Sequence, residues 1–149
     1  MKVTRIAVIG AGTIGSAIAK SLLSKGFEKI TATRRQADRL NDLRDLGATV
    51  TSDNRRAAAE ADVIVLCVKP SDALEVLEDI KEEAAGKLVI SVAAALPLQL
   101  LKSRAPRSRF IRAMPNMAVL VQESFTAYCV DKDVTDEDRE RAKEIFEAM

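Results

Sequence analysis

Short aliphatic runs alternate along this chain with longer charged segments whose apolar residues recur at helical spacing. Ile6-Ala7-Val8-Ile9, Lys29 to Thr33, Thr49-Val50-Thr51, Val63 to Cys67, Leu88 to Val92 and Phe110 to Met114 fit strands. Each is short, rich in β-branched or aliphatic residues and bounded by turn formers. Val63 to Cys67, the most strongly β-branched, is expected at the centre of a sheet.

The intervening segments predict helices. Thr13 to Lys25 turns Ile14, Ile18, Leu22 and Leu23 to one side and meets Gly26, a C-terminal stop. Gln36 to Leu46 presents Leu40, Leu43 and Leu46 at helical spacing and ends at Gly47; Asn54 to Glu60 makes a short helix. Pro70 suits a first helical position, where its missing N–H costs nothing, and opens a helix that turns Leu74, Leu77 and Ile80 inward before Gly86. Pro97 opens a further short helix through Leu101 or Lys102, and the basic stretch from Lys102 to Arg109 reads as a turn with surface charges. Thr135 reads as an N-cap for a last helix carrying Ala142, Ile145, Phe146 and Met149 on one face. Strands alternating with helices in this way predict an α/β fold, a Rossmann-like open, mostly parallel sheet with helices on both faces.

The 149 residues, 48% hydrophobic, suffice for one sheet-centred domain. A net charge of +1, with 23 basic and 22 acidic residues, gives no global field for nucleic acid or an anionic membrane. With aromatic residues at 3% and no Trp, the stacking platforms of a single-strand binder are missing too. No apolar run reaches membrane-spanning length, and the first strand begins so early that a signal peptide is not expected. The expected location is therefore cytoplasmic. Cys67 and Cys129 lie in apolar, strand-like runs and read as small core residues, with neither a disulfide nor a metal site expected. Histidine is absent, which excludes Ser-His-Asp and Cys-His nucleophilic mechanisms and leaves the chemistry to a bound cofactor.

Gly10-Ala11-Gly12-Thr13-Ile14-Gly15 follows the first strand and opens the first helix, the order that a dinucleotide site requires. Gly10 permits the turn, Gly12 lets main-chain amides approach a pyrophosphate, and Gly15 lets helix and strand pack closely. The helix N-terminus stabilises the anion without a cationic side chain. About 20 residues beyond, where the second strand meets the adenosine ribose, NAD sites carry Asp or Glu and NADP sites carry Arg. This chain has Thr33-Arg34-Arg35. A guanidinium matches a phosphate and the Thr33 hydroxyl offers a further hydrogen bond, so NADP is favoured, with NAD still possible. The alternative is a solvated arginine pair with Asp38 as partner.

Three further stretches lie at strand ends. Val68-Lys69-Pro70-Ser71-Asp72 follows the central strand, with Ser71 and Asp72 suited to a first helical turn, and Lys69 either approaches phosphate or ribose or simply leaves a buried strand for solvent. Ala93-Ala94-Ala95 either lets a flat nicotinamide lie against backbone or packs tightly for its own sake. Met114-Pro115-Asn116 ends a strand in a residue that stops pairing and an amide that both donates and accepts, suited equally to a polar contact and to a Pro-Asn turn.

Taken together, the glycine turn, the Arg-bearing second strand, Asp53-Asn54, Val68-Lys69-Pro70, Ser91-Val92-Ala93-Ala94 and Arg112-Ala113-Met114-Pro115-Asn116 resemble the N-terminal domain of NADP-dependent pyrroline-5-carboxylate reductases. The resemblance covers nearly the whole chain. It implies cofactor contacts at Cys67 to Pro70 and at Val92 to Ala94, an adenosine-ribose contact at Asn54, and the nicotinamide and substrate edge at Met114 to Asn116. The chain departs from the family at Ala95, where glycine is common, at Met117, where threonine is common, and at Gln122-Glu123-Ser124-Phe125, which lacks a frequent glycine. The resemblance also implies a following helical domain that dimerises and completes the substrate pocket. The sequence ends on the apolar face of its last helix, so residues 1–149 are expected to be the NADP-binding domain of a longer two-domain, homo-oligomeric enzyme.

The implied reaction is NADPH-dependent reduction of a small imine, 1-pyrroline-5-carboxylate, to L-proline. No residue of this chain is identified as the catalytic acid. Alternatives are a deazaflavin-dependent NADP reductase and a non-catalytic NADP-binding or regulatory module.

Overall fold

The structure, a computed structural model, describes residues 4–114 and 127–149. Among them, strands β1 (Arg5–Ile9), β2 (Lys29–Thr33), β3 (Thr49–Thr51), β4 (Val63–Leu66), β5 (Leu88–Ser91), β6 (Arg109–Met114) and β7 (Ala127–Val130) form one sheet. Their order is β3-β2-β1-β4-β5-β6-β7. Neighbours run parallel except β6 and β7, which are antiparallel. The chain leaves β1 first toward β2 and β3, then crosses back to β4, so the strand order reverses at β1. Ligands of open α/β sheets bind in the crevice at such a reversal, beyond the carboxyl ends of the strands.

Alternate residues of each strand face opposite sides, and the two cores divide accordingly. On one face Ile6, Val8, Val63, Val65, Ile90 and Ile111 pack with α1 (Thr13–Ser24), α2 (Asn41–Asp45) and α6 (Asp136–Glu147). On the other, Ala7, Ile9, Ile64, Leu66, Val89 and Phe110 pack with α3 (Asn54–Glu60), α4 (Pro70–Ile80) and α5 (Leu98–Arg104). Every residue of β4 and β5 is buried, the reason their sequences read as unbroken apolar runs rather than alternations. The Rossmann-like expectation holds, with helices on both faces.

Helix ends follow the chemistry of their sequences. Gly26, at φ 94°, ends α1 and lets Phe27 N–H donate back to Leu22 O at 3.1 Å. Thr135 and Asp138 form a reciprocal capping box at the start of α6. The apolar face of α6 is covered: Ala142, Ile145 and Met149 are buried in the first core.

Several expectations change. The segment predicted as one helix over Gln36 to Leu46 is a 3₁₀ turn (Ala37–Leu40) followed by the short α2. Leu40 and Leu43 are buried, whereas Leu46 is 57% exposed, because the chain turns through Gly47 at φ 109° and Ala48 N–H bonds back to Leu43 O. Cys129 is exposed rather than a core residue, since β7 lies at the sheet edge. Lys102 and Arg109 are not surface charges. Lys102 pairs with Asp131 and Asp133, and Arg109 with the buried Asp138, fastening α5 and β6 to the start of α6. Helix α5 also runs on to Arg104, past its predicted end.

Candidate dinucleotide cleft

The glycine turn is shaped by close contacts on two sides. Gly10 has φ 85°, and a Cβ there would sit 2.5 Å from Val68 Cγ1 and 2.8 Å from Val68 N, so only glycine lets β1 end this close to the exit of β4. A Cβ on Gly15 would meet Gly10 O at 2.7 Å and Cys67 Cβ at 3.1 Å, which is the tight helix-on-strand packing expected of this position. Gly12 differs: nothing lies within 4 Å of where its Cβ would be, so the space above the turn is open. Gly12 is also the N-cap of α1, with no side-chain cap and no acidic residue in the first turn. The first amides of a helix lack intrahelical acceptors and carry the positive end of its dipole. Here they face open space.

A cleft of about 440 Å³ opens at this point. It brings together Gly10, Gly12, Thr33, Arg34, Arg35, Asn54, Cys67, Val68 and Lys69 from the exits of β1, β2 and β4 and the start of α3. Among the described residues, Arg34, Arg35 and Lys69 against the single acid Asp72 make the lining net positive. The lining residues Gln36, Ser52 and Val76 were not anticipated as contacts, whereas Asp72 closes the stretch after β4 that the sequence marked as a candidate. Ser52 directly follows β3 and Gln36 lies three residues beyond β2, next to the arginines, so position at a strand exit is the one signal they carry. Asp72, in the first turn of α4, carries an ion pair to Arg35 at 3.9 Å; Asp38, the partner considered from sequence, has no such contact with it among the described ion pairs.

Thr33 has a different task from the one expected. Its residue is buried, and its hydroxyl donates to Asn54 Oδ1 at 2.6 Å while accepting from Gly10 N–H at 3.2 Å. The single hydroxyl proton is thus committed beneath the turn rather than offered to a phosphate. Asn54 is held in turn at the start of α3, whose N-cap Asp53 accepts Arg56 N–H at 3.1 Å. Cys67 is partly exposed at the cleft floor, but burial of its thiol pushes the pKa up to about 12, so it is a neutral, unreactive wall.

Other expected contacts lie apart from this cleft. Thr13 lines a neighbouring depression with Lys20 and Arg34, and Ile14 packs against the core. Pro70 is the exposed first residue of α4. Val92 and Ala93 are packed among core residues, Ala94 is exposed, and Met114 is 58% exposed at the end of β6. Ala95 has φ 62°, a left-handed conformation, at the position where glycine was expected. Pro115 and Asn116 lie outside the described residues, as do Met117 and Gln122 to Phe125.

Comparison with known proteins bears on the same region. The family model described as NADP oxidoreductase coenzyme F420-dependent matches residues 5–95. Pyrroline-5-carboxylate reductase of Methanosarcina acetivorans is 37% identical over an alignment that covers 100% of this chain and 57% of that protein. The solved structure of a pyrroline-5-carboxylate reductase from Coxiella burnetii superposes with a TM-score of 0.94 at 31% identity, covering 99% of this chain and 57% of that one. The pyrroline carboxylate reductase of Plasmodium falciparum, solved with NADP bound, gives 0.88 at 27% identity, covering 99% and 56%. The chain thus spans a little over half the length of these relatives.

Proposed function

The chain belongs to the NADP oxidoreductase coenzyme F420-dependent family, and from that premise we propose that it supplies the NADP-binding domain of a pyrroline-5-carboxylate reductase. The whole enzyme would be a two-domain, homo-oligomeric protein that reduces the imine of 1-pyrroline-5-carboxylate to L-proline, in proline biosynthesis. The observation that carries this reading is the uncapped N-terminus of α1 facing the open space above Gly12, with Arg34, Arg35 and Lys69 around the same cleft. The pyrroline-5-carboxylate reductase relatives, matched along the full chain, favour the substrate.

The residues present fit the dinucleotide. The amides of the first turn of α1 would receive the diphosphate, since a side chain on Gly12 would fill that room and none is there. Arg34 and Arg35 would take the 2′-phosphate and Asn54 the adenosine ribose. This chain's residues would hold and orient the adenosine half, and a nicotinamide held in this way would supply the hydride to the imine carbon. Both cysteines are free thiols, which agrees with a reducing, cytoplasmic compartment. Among the described residues, no helix is long and apolar enough to cross a membrane.

The test has two parts. Calorimetry on this chain should show tighter binding of NADPH than NADH, with Arg34→Ala plus Arg35→Ala removing most of the difference; equal affinities would overturn the NADP assignment. In the full-length gene product, NADPH oxidation should depend on 1-pyrroline-5-carboxylate. The family description favours a second reading, a coenzyme F420 (deazaflavin) reductase, and oxidation that depends on that coenzyme instead would move the assignment there.

A further inference from the structure

We propose that Asp72 is a specificity-determining residue of the adenosine site: its carboxylate pairs with Arg35, and on binding it competes with the 2′-phosphate of NADP for that guanidinium. The inference rests on the NADP reading above and goes beyond it, because it concerns how strongly that phosphate is selected. Arg35 follows β2 and Asp72 lies in the first turn of α4, after β4. β2 and β4 are the two neighbours of β1, so the pair spans the mouth of the cleft above the glycine turn.

The pair is loose. Nη2 and Oδ1 are 3.9 Å apart, and the side chains are 90% and 37% exposed, so solvent screens the attraction and the guanidinium is easily released. Among the described residues, Asp72 is the one acid lining the cleft, and it sits against one of the three cations there. A phosphate monoester carries close to two negative charges and presents three acceptor oxygens, so it outcompetes one carboxylate for the arginine fork. NAD has a hydroxyl at that position and gives Arg35 no reason to leave. Asp72 therefore subtracts from the affinity for NADP and leaves that for NAD unchanged. It also gives Arg35 a place to return to when the nucleotide departs, which shortens the residence of NADP.

Calorimetry and stopped-flow dissociation on this chain test the proposal with Asp72→Asn, Arg35→Ala and the double variant. Asp72→Asn should tighten NADP about fivefold, the scale of an exposed ion pair, mainly through slower dissociation, with NAD within twofold of the starting value. In the Arg35→Ala background the same change should shift NADP affinity by less than twofold. An unchanged ratio of NADP to NAD affinity in Asp72→Asn, or the full gain persisting without Arg35, would overturn the competition. Asp72→Ser, also suited to a first helical turn, serves in its place if the Asn variant does not fold. If the unaltered chain binds NADP and NAD equally, the NADP reading itself fails. If it prefers NADP and Asp72→Asn changes nothing, only the role of Asp72 falls.

Discussion

The buried hydroxyl of Thr33 donates to Asn54 Oδ1 at 2.6 Å and accepts the N–H of Gly10 at 3.2 Å. One side chain at the end of β2 thereby fixes both the turn after β1 and the start of α3. Thr33→Val keeps the shape but leaves the Gly10 N–H without its acceptor and Asn54 without its donor, at a cost of about 1–3 kcal/mol. Urea unfolding should show that loss, and calorimetry should show NADP and NAD weakened alike, since the defect lies in the turn. Selective loss of NADP would mean that Thr33 touches the 2′-phosphate itself.

The glycines at 12 and 15 should separate binding from folding. Gly15→Ala places a methyl 2.7 Å from Gly10 O, a backbone atom that cannot yield, so α1 must shift; a destabilisation of about 1–3 kcal/mol is expected together with loss of nucleotide binding. Gly12→Ala meets nothing within 4 Å. Its methyl projects into the room proposed for the diphosphate, so dissociation constants for NADP and NAD should both rise at least about tenfold while stability changes by about 1 kcal/mol or less. A Gly12→Ala protein that binds both nucleotides normally would remove the diphosphate from this turn.

Much of this was legible in the sequence because the signals are local. Strand runs, helical spacing and glycine stops act within a few residues, and α3 runs over Asn54–Glu60 as the sequence predicts. What was not legible depends on which distant segment arrives. Leu46 has the spacing of a core residue, but the turn at Gly47 carries it outward. Arg109 reads as surface until Asp138, 29 residues later, docks beside it. Ser52 and Gln36 line the cleft through position alone, being small or polar residues with no signature of their own. Thr33 lines the cleft as the sequence suggested, and only its partners, Asn54 and Gly10, reveal that its hydroxyl is a brace.

Ala95 holds a left-handed conformation, φ 62°, just beyond β5. A Cβ in this region costs about 1–2 kcal/mol, and glycine recovers that while making the unfolded chain more flexible. Ala95→Gly should therefore stabilise the protein by about 0.5–1 kcal/mol in urea unfolding. Ala95→Val adds a β-branch where it is least tolerated and should destabilise it by more than about 1 kcal/mol. A valine variant as stable as the starting protein would show that the turn relaxes to an ordinary conformation at no cost.

The contact between Arg109 and Asp138 makes stability depend on pH in a predictable direction. The Asp138 side chain is only 2% exposed. Burial opposes its ionisation, but hydrogen bonds from Arg109 and from the N–H of Thr135 outweigh this and hold its carboxyl below the usual range. A carboxyl whose pKa is lower folded than unfolded binds fewer protons in the folded state, so its contribution is fully present above the unfolded value, about 3.9, and is lost as pH falls through the folded one. Asp138→Asn removes the charge, strands the partly buried guanidinium of Arg109 and weakens the capping box of α6, together about 2–4 kcal/mol at neutral pH. Because that variant has nothing left to protonate at this position, its disadvantage should shrink as the pH is lowered from about 5 toward 3, where the starting protein loses the same contact. Urea unfolding of both proteins across this range measures the difference directly, and a gap that stays constant with pH would show that the ion pair contributes nothing to holding α6 against β6.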